Sequence, residues 1–485
     1  MPEGDAGHPR GGGRRLRRWS AGLVVLVLLA GAGAYRFDLG DRLGLAAPSP
    51  LTEPARVQPP AGLALPRARP APPVARVRPD GAADPAAVRR AVTPLLRSAK
   101  LGRHVVVRVA QLSDGRVVYA HGAGPVTPAS TMKLLTMVAA LETLGPQHRF
   151  TTKVVATPSS PRIVLVGGGD PLLAGGSEEG SYPARADLTA LARATAKGLS
   201  AIGRTQVRLG YDTSLFAGPK VNPRWEATYV PDDVVSPITP LWVDEGRLRN
   251  GLDARSRTPA STAAAVFAQA LERRGITVVG PPVHATAPTA ARGGSAIAAV
   301  HSAPLAEIVQ HVVEASDNEA AEVLAHQVAI ARGAPASFAG GASAVRSVLK
   351  GLGIDTSGDR IYDGSGLSRA DRLDPATLLA VLETASSTRH PELRAAVANL
   401  PVAGFSGSLT HRFDRGSPLA RGTVRAKTGT LTGVHGLAGT VTSRDGVVMA
   451  FVAVADRVKP DDTLDARLRV DQLAGALGGC ACAAP

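Results

Sequence analysis

The sequence predicts an α/β fold of the α+β kind, in which a long segment is inserted into one larger domain. Two observations predict it. Apolar residues recur at helical spacing in several long segments, and the segments 421–431, 434–442 and 446–455 are typical of an antiparallel run with Gly and Asp-Gly turns. From Arg149 the chain changes to short Val- and Thr-rich strands. Because candidate reactive residues lie on both sides of that stretch, we interpret 149–285 as the insertion.

Capping and turn residues delimit the elements before the insertion. Asp84-Pro85 is typical of a helix start, Asp114-Gly115 of a tight hairpin turn, and Gly145-Pro146 of a helix end. The elements predicted from these signals are a helix from Asp84 to about Lys100, strands over 104–112 and 116–120, and a helix over 130–144.

The same periodicities predict the elements within and after the insertion. A Pro-rich stretch at 213–258 predicts irregular structure, and a low-complexity Ala/Thr/Gly segment at 284–299 is interpreted as a link. The remaining predicted strands are 149–157, 162–166, 204–212 and 276–279, and the remaining predicted helices are 187–201, 261–274, 305–315, 318–331, 340–350, 375–386 and 463–476.

Composition favours a globular protein that works at a charged surface. The 485-residue chain has 44% hydrophobic and 4% aromatic residues and a formal net charge of +15. It has no long Lys/Arg run and few aromatic residues among the basic ones, which argues against nucleic-acid binding. Attraction to an anionic cell envelope accounts better for the charge.

The N-terminal region predicts export. Residues 1–18 form a basic cytoplasmic n-region, and 19–35 form an apolar segment that is short for a membrane-spanning helix. Ala32-Gly33-Ala34 would serve as a cleavage site, whereas the Pro/Ala/Arg-rich linker at 36–83 favours an uncleaved anchor that tethers the chain. We expect an extracytoplasmic protein held by one N-terminal membrane segment, with cleavage and secretion as the alternative.

The two cysteines, Cys480 and Cys482, lie in a Gly- and Ala-rich tail. Two cysteines do not form a disulfide framework or a metal site. A strained local disulfide is one interpretation of the pair, and a flexible tail over 477–485 is the favoured one.

Ser130 and Lys133 begin the predicted helix over 130–144, and a spacing of three places them on the same helix face. A serine hydroxyl is a weak nucleophile, and a neighbouring amine that is held neutral can take its proton. The helix N-terminus adds N–H groups that can stabilise an oxyanion. Ser347 and Lys350 repeat the spacing at the end of a surface helix, and we interpret that pair as a chance match.

Ser316-Asp317-Asn318 lies at a break between two predicted helices. One interpretation is a helix junction with Asn318 as the N-cap. The other is a reactive site, in which the Ser316 hydroxyl relays a proton and the Asn318 amide binds a substrate amide.

Lys427-Thr428-Gly429 lies in the predicted strand 421–431. The Thr428 hydroxyl can bind a carboxylate beside the charge of Lys427, and Gly429 allows a ligand to approach the backbone closely. The alternative is an edge-strand lysine that prevents aggregation. Only 8 of the 55 basic residues are lysines. The presence of two of them, Lys133 and Lys427, inside candidate motifs therefore supports a functional role for both.

Ser-x-x-Lys, Ser-Asp-Asn and Lys-Thr-Gly in this order form the signature of penicillin-recognising acyl-serine enzymes. The chain also contains Gly167-Gly-Gly-Asp-Pro171, Asp363-Gly-Ser-Gly-Leu-Ser-Arg369 and Leu400-Pro-Val-Ala-Gly404, with a long insertion between the first two signature motifs. Over roughly residues 85–475 it resembles the D-alanyl-D-alanine carboxypeptidase/endopeptidases, the class C low-molecular-mass penicillin-binding proteins of peptidase family S13.

The resemblance implies a penicillin-binding transpeptidase/β-lactamase-like domain, in which a five-stranded antiparallel sheet lies between helix layers. Residues 84–148 and 286–476 would form this catalytic domain, and 149–285 would form one or two inserted domains. The implied partners are peptidoglycan stem peptides that end in D-Ala-D-Ala, with β-lactam antibiotics as covalent inhibitors. No metal or other cofactor is implied.

The resemblance also implies catalytic roles for five residues. Ser130 would attack the carbonyl of the penultimate D-Ala, and Lys133 would take the serine proton. Ser316 and Lys427 would carry a proton to the nitrogen of the leaving D-Ala, while Asn318 would hold the peptide. Water would then hydrolyse the acyl-enzyme.

Substrate binding is implied for the neighbouring residues. Thr428 would bind the terminal carboxylate, with Gly429 and Asp317 in the same site. The backbone N–H groups of Ser130 and Thr430 would form the oxyanion hole.

Two alternatives remain. A serine β-lactamase shares the three motifs, but the glutamate segment with which class A enzymes activate water is missing between Ser316 and Lys427, and the large insertion also argues against it. A non-catalytic wall-binding protein on the same fold is the second alternative, although every polar residue named above is intact.

Overall fold

The structure is a computed structural model that describes residues 81–484, apart from 157–159, 178–179, 249–253, 290–293 and 415–417. The helices of this part are α1 Pro85–Val92, α2 Met132–Leu144, α3 Leu188–Ala201, α4 Pro259–Glu272, α5 Leu305–Ala315, α6 Asn318–Ala331, α7 Phe338–Gly351, α8 Pro375–Ser386, α9 Ala395–Ala398 and α10 Thr463–Gly479. The strands are β1 Val105–Gln111, β2 Val117–His121, β3 Thr151–Ala156, β4 Arg162–Val166, β5 Gln206–Asp212, β6 Thr277–Val278, β7 Val283–His284, β8 Ser295–His301, β9 Val424–Leu431, β10 Val434–Thr442 and β11 Val448–Ala455.

A five-stranded sheet forms the middle layer of the larger domain. Its strand order is β2-β1-β11-β10-β9, and each neighbouring pair is antiparallel. Because side chains alternate along a strand, Ala438 and Val452 pack with α2 and α5–α8, whereas Leu437 and Phe451 pack with α1 and α10 on the other face. This arrangement confirms the predicted antiparallel sheet between helix layers.

A second sheet of six strands follows the order β6-β5-β4-β3-β8, with β7 paired to β5. Its core is formed with α3 and α4, from which Leu191 and Phe267 are fully buried. Strand β8 pairs with β3 although the sequence predicts a link at 284–299. The Ala-rich β8 has a weak strand pattern of its own, and β3 supplies its hydrogen-bond partners. The sheet therefore extends to His301, beyond the predicted boundary at 285.

The irregular stretch predicted at 213–258 packs largely against the helices that come after Ser316. Trp225, Tyr229 and Trp242 form a buried cluster with Val323 of α6 and Phe338 of α7. Tryptophan buries a large apolar area while its N–H needs a partner. The Trp225 indole donates a hydrogen bond of 2.7 Å to Asp363 Oδ2, and this contact holds the stretch against the loop 362–369.

The first helix is shorter than predicted. Helix α1 ends at Val92, and two short 3₁₀ turns at Thr93–Arg97 and Ala99–Leu101 replace the rest of the predicted helix to Lys100. Pro94 has no N–H to donate back into the helix, which explains the change to tighter turns. Asp84 caps α1 as predicted, because its carboxylate accepts hydrogen bonds from the N–H groups of Ala86 and Ala87.

The C-terminal tail is ordered, and the prediction of a flexible tail over 477–485 is wrong for its described part. Helix α10 continues to Gly479, Cys480 and Cys482 form a disulfide, and Cys482 is fully buried. The tail runs beside Ala83, with the N–H of Asp84 bound to Cys482 O at 2.7 Å and the N–H of Ala484 bound to Ala82 O at 2.7 Å. Composition did not reveal these partners, which lie almost 400 residues away in sequence.

No helix among residues 81–484 is long and apolar enough to cross a membrane. The predicted n-region, anchor and most of the linker, residues 1–80, lie outside the described residues.

The ordered tail leads to a stability prediction. A chain that ends at Gly479 loses three backbone hydrogen bonds of the tail and the buried Cys482 side chain, so its free energy of unfolding should fall by about 2–4 kcal/mol. Thermal unfolding followed by circular dichroism measures the change. Removal of Pro485 alone is the matched control, and an equal melting temperature for both truncations would contradict a structural role of the tail.

Candidate active site

Ser130 lies on a short turn that precedes α2. The turn spans Ala129–Thr131, and Ala129 has a φ of 46°, in the left-handed region that residues with a Cβ rarely adopt. The Thr131 hydroxyl donates a 2.7 Å hydrogen bond to Pro128 O and fixes the turn from within. Ser130 is partly exposed while both of its neighbours are buried, so the turn presents one hydroxyl to the cleft.

The Lys133 amine connects Ser130 to two other parts of the chain. Its Nζ lies 2.9 Å from Ser130 Oγ, 2.7 Å from Asn318 Oδ1 and 2.9 Å from the carbonyl oxygen of Ser365. A charged ammonium uses all three of its N–H bonds here. When the amine is neutral, two N–H bonds still serve Asn318 and Ser365, and the lone pair faces the serine hydroxyl. The geometry therefore suits proton abstraction from Ser130.

Burial makes the neutral form of Lys133 accessible. The side chain is fully buried, and this burial lowers the pKa of Lys133 from 10.5 to about 8. The negative charges of Asp363, Asp317, Glu322 and Glu319 act in the opposite direction and keep the pKa from falling further.

The loop 362–369 is held in place by two carboxylates. Glu322 accepts hydrogen bonds from the N–H groups of Gly364 and Ser365, at 3.0 Å and 2.8 Å. Asp363 accepts 2.7 Å hydrogen bonds from the N–H groups of Gly366 and Ser368. These contacts fix the Ser365 carbonyl oxygen, which accepts a hydrogen bond from the Lys133 amine. Burial, with the nearby charge of Asp363, raises the pKa of Glu322 to about 8.

Gly366 brings this loop against the turn of Ser130. Its φ of 82° is left-handed, and a Cβ at this position would lie 1.9 Å from the Ala129 carbonyl oxygen. Only glycine fits such a close backbone approach. The sequence of this loop contributed to the family resemblance. No sequence pattern predicted that the carbonyl of Ser365 contacts Lys133.

A second lysine–serine pair lies in the same region. The Lys427 Nζ donates a 2.7 Å hydrogen bond to Ser316 Oγ and a 3.2 Å hydrogen bond to Thr428 O. Ser316 ends α5 with a φ of 60°, a left-handed conformation that turns the chain sharply before α6. Lys427 is fully buried on β9, and burial, followed by the charges of Lys133 and Arg412, lowers its pKa well below the ordinary value.

Asp317 and Asn318 have separate functions at the start of α6. Asp317 is the N-cap, because its carboxylate accepts a 2.9 Å hydrogen bond from the N–H of Ala320, and Asn318 is left free to accept from Lys133. Burial favours the neutral form of Asp317, but His311, the Ala320 N–H and the charge of Lys133 together lower its pKa. Asn318 lines the cleft in front of Ser130, whereas Asp317 is not among the residues that line it.

Residues 428–430 lie on β9, at the edge of the five-stranded sheet. Thr430 is exposed and lines the cleft together with Ser130. Thr428 is mostly buried, and its hydroxyl lies 3.1 Å from that of Ser408, a contact that the sequence analysis missed. A Cβ on Gly429 would lie 2.7 Å from Pro128 O. The absence of a Cβ at Gly429 therefore allows β9 to pack against the turn of Ser130, a role in addition to the predicted ligand approach.

The cleft in front of Ser130 has a volume of about 270 Å³. Its lining includes Glu226 and Tyr229 of the irregular stretch and Arg369 of the loop 362–369. Arg369 forms an ion pair with Glu226 and donates a 2.9 Å hydrogen bond to Thr432 O. The sequence analysis missed these lining residues, because the stretch has no periodicity that predicts where its side chains point.

The second Ser-x-x-Lys pair lies elsewhere. Ser347 and Lys350 are both exposed on the last turns of α7, and neither lines the cleft of Ser130. Two groups among the described residues have potential metal ligands within 4.8 Å of one another, namely Glu142, His390 and Glu392, and Glu245, His311 and Asp317. In the second group Arg185 already pairs with Glu245, and Asp317 caps α6.

Comparison with known proteins identifies the family. The model of the D-Ala-D-Ala carboxypeptidase 3 (S13) family matches residues 88–255 and 248–477. The chain is 37% identical to carboxypeptidase DacB of Mycolicibacterium smegmatis over 78% of this chain and 81% of that protein. It is 35% identical to a carboxypeptidase of Mycobacterium tuberculosis over 91% and 92% of the two chains.

The fold also matches a solved structure. Penicillin-binding protein 4 of Haemophilus influenzae superposes with a TM-score of 0.63 at 23% identity, over 81% of this chain and 97% of that one. The comparisons together confirm the predicted fold class, family and serine-carboxypeptidase class, and they do not favour the β-lactamase alternative. The chain belongs to the D-Ala-D-Ala carboxypeptidase (S13) family.

Proposed function

We propose that the protein is a serine-type D-Ala-D-Ala carboxypeptidase and/or peptidoglycan DD-endopeptidase that acts through an acyl-serine intermediate. The observation that carries the proposal is the contact of Lys133 Nζ with Ser130 Oγ at 2.9 Å, inside a cleft that also receives Asn318. Family membership supports the same chemistry. Carboxypeptidase and endopeptidase reactions share the acylation step and differ only in the group that leaves with the amine of the scissile bond.

Acylation begins with the neutral Lys133 amine. It takes the proton of Ser130 while the serine oxygen forms a bond to the carbonyl carbon of the penultimate D-Ala. Negative charge develops on the carbonyl oxygen, and the N–H groups of Ser130 and Thr430 are the proposed donors to it. Both residues line the cleft, which supports this assignment.

Collapse of the tetrahedral intermediate breaks the peptide C–N bond, and the leaving nitrogen takes up one proton. Ser316 and Lys427 are the proposed carriers of that proton, supported by their 2.7 Å hydrogen bond. Thr428 is the proposed contact for the terminal carboxylate. Water then attacks the acyl ester, which releases the shortened peptide as an acid and restores Ser130.

The proposed substrates are stem peptides of the cell wall that end in D-Ala-D-Ala, and β-lactams would acylate the same serine. Such a substrate implies an extracytoplasmic protein. We also propose that residues 19–35 anchor it to the membrane, which rests on the sequence pattern alone. A wall-binding protein without activity is disfavoured, because the reactive side chains contact one another in the arrangement that catalysis needs.

Covalent labelling tests the nucleophile. The full-length chain in detergent should form one stable adduct with a fluorescent penicillin, and Ser130→Ala should abolish it, because no other hydroxyl contacts Lys133 among the described residues. In-gel fluorescence and intact mass measure the adduct. Ser347→Ala is the matched control from the second Ser-x-x-Lys pair and should label like the wild type. Rapid penicillin turnover without an adduct would favour a β-lactamase, and labelling of Ser130→Ala would refute the assignment.

The pKa of Lys133 predicts the pH dependence of acylation. The base must be neutral, so the second-order rate constant for penicillin acylation should rise about tenfold per pH unit below pH 8 and level off above it. Stopped-flow measurement between about pH 6 and 9.5 gives the profile. Lys133→Arg should lose acylation at every pH in this range, because a guanidinium does not lose its proton. A wild-type rate that is flat or falls across the range would contradict Lys133 as the base.

A further inference from the structure

A second cleft, of about 320 Å³, lies where helix α4 begins, and none of its lining residues comes from the cleft of Ser130. Its polar lining includes Lys220, Arg257, His284, Tyr211, Ser261 and Thr239. No carboxylate is among its described lining residues. The cleft therefore combines positive charge with hydroxyl groups, which suits a negatively charged ligand.

The N-terminus of α4 opens into this cleft without a cap. Thr258 occupies the N-cap position, but its side chain makes no capping hydrogen bond, and Pro259 comes next at the first helical position. None of the described residues accepts a hydrogen bond from the N–H of Ala260 or of Ser261. Two N–H groups at the positive end of a 14-residue helix are thus available to an oxyanion.

Thr239 adds a buried hydroxyl, unpaired within the part of the chain that the structure describes, to the lining of this cleft. Its side chain is 2% exposed and lines the cleft, and its hydroxyl has no hydrogen-bond partner among the described residues. A buried hydroxyl without a partner costs about 1–3 kcal/mol, so such groups are normally satisfied by protein, water or ligand. The neighbouring N–H of Ile238 donates a 2.7 Å hydrogen bond to Lys220 O, which keeps the segments of Thr239 and Lys220 together.

The cations of the cleft differ in how they are held. Lys220 is exposed and forms no ion pair with a described residue. Arg257 donates a 2.8 Å hydrogen bond to Pro231 O and lies 3.6 Å from Asp233, which fixes its direction and partly offsets its charge. His284 contacts the Thr213 hydroxyl at 3.0 Å. Lys220 is therefore the principal source of uncompensated charge.

We propose that this cleft binds a phosphate-type oxyanion, either free phosphate or a phosphate ester carried by a sugar of the cell envelope. A tetrahedral oxyanion presents acceptor oxygens in several directions, and the cleft offers donors from the helix end, from Thr239 and Ser261, and from Lys220. Helix N-termini with hydroxyl and lysine donors are a recurrent solution for phosphate binding. The site is independent of the acyl-serine chemistry at Ser130.

Phosphorus NMR tests the site directly. Titration of inorganic phosphate or glucose 6-phosphate with the full-length chain in detergent, at low ionic strength, reports binding through the ³¹P line width. Lys220→Ala should raise the dissociation constant about tenfold, because it removes a charged donor. Thr239→Val should raise it about threefold to tenfold and should keep or increase the melting temperature, because the valine removes an unpaired hydroxyl.

Thr152→Val is the matched control. Thr152 is 1% exposed, its hydroxyl is also without a partner among the described residues, and it does not line the cleft, so this variant should bind phosphate like the wild type. Preference for one of the two ligands would assign the source of the phosphate. Absence of binding by the wild type, or unchanged affinity in both Lys220→Ala and Thr239→Val, would overturn the proposal. Penicillin labelling of each variant should equal that of the wild type. This measurement tests the acyl-serine assignment independently of phosphate binding.

Discussion

The structure of the site depends on burying the amine of Lys133 directly beside Ser130. In this position the neutral form of the lysine is favoured by about 3 kcal/mol relative to water, the free-energy equivalent of a pKa lowered from 10.5 to about 8. A buried amine requires partners for each of its N–H bonds. Asn318 and Ser365 supply them, and they belong to segments more than 180 residues away from Lys133.

This requirement explains the surrounding architecture. The Ser365 carbonyl can accept from Lys133 only if the loop 362–369 is fixed, and Glu322 and Asp363 fix it through four backbone N–H groups. Asp363 in turn binds the Trp225 indole, which holds the irregular stretch that contributes to the lining of the cleft. The irregular stretch beside the cleft and the loop that contacts the Lys133 amine are thus connected through one carboxylate.

The second lysine adds an electrostatic constraint. Lys427 is also fully buried, and the charge of Lys133 contributes to its lowered pKa. Two buried ammonium groups in one region repel each other, so protonation of one disfavours protonation of the other. In the proposed reaction, a proton that moves from Ser130 to Lys133 would therefore lower the pKa of a protonated Lys427 further and favour proton transfer toward Ser316.

The sequence could predict that the proposed reactive residues lie at a helix start, a helix junction and a strand, because short local motifs encode these positions. Ser130 with Lys133, and Ser316 with Asn318, are placed by the start of a helix and by a helix junction, and Lys427 by a strand. Local sequence patterns do not show which distant segments of the chain contact one another. The strand β8, the contact of Ser408 with Thr428, and the ordered tail beside Ala83 all depend on partners far away in sequence.

Two of the predicted site residues have structural roles that the sequence analysis did not anticipate. Gly429 is required by the close approach of Pro128 O, which no strand pattern reveals. Asp317 was grouped with the substrate contacts, but a carboxylate directly before a helix satisfies the helix N–H groups first. In both cases the motif identifies the residue, but the role of the residue depends on packing that the local sequence does not encode.

A direct titration of Lys133 tests the central claim. The chain has 8 lysines, and ¹³Cε-lysine labelling gives a small set of NMR signals, in which the Lys133 signal is assigned by its loss in Lys133→Arg. A buried amine held against Ser130 should titrate near pH 8, well below a lysine in a free peptide. A midpoint at or above the free-peptide value would show that the amine remains charged at physiological pH, and it would contradict the account of Lys133 as the base.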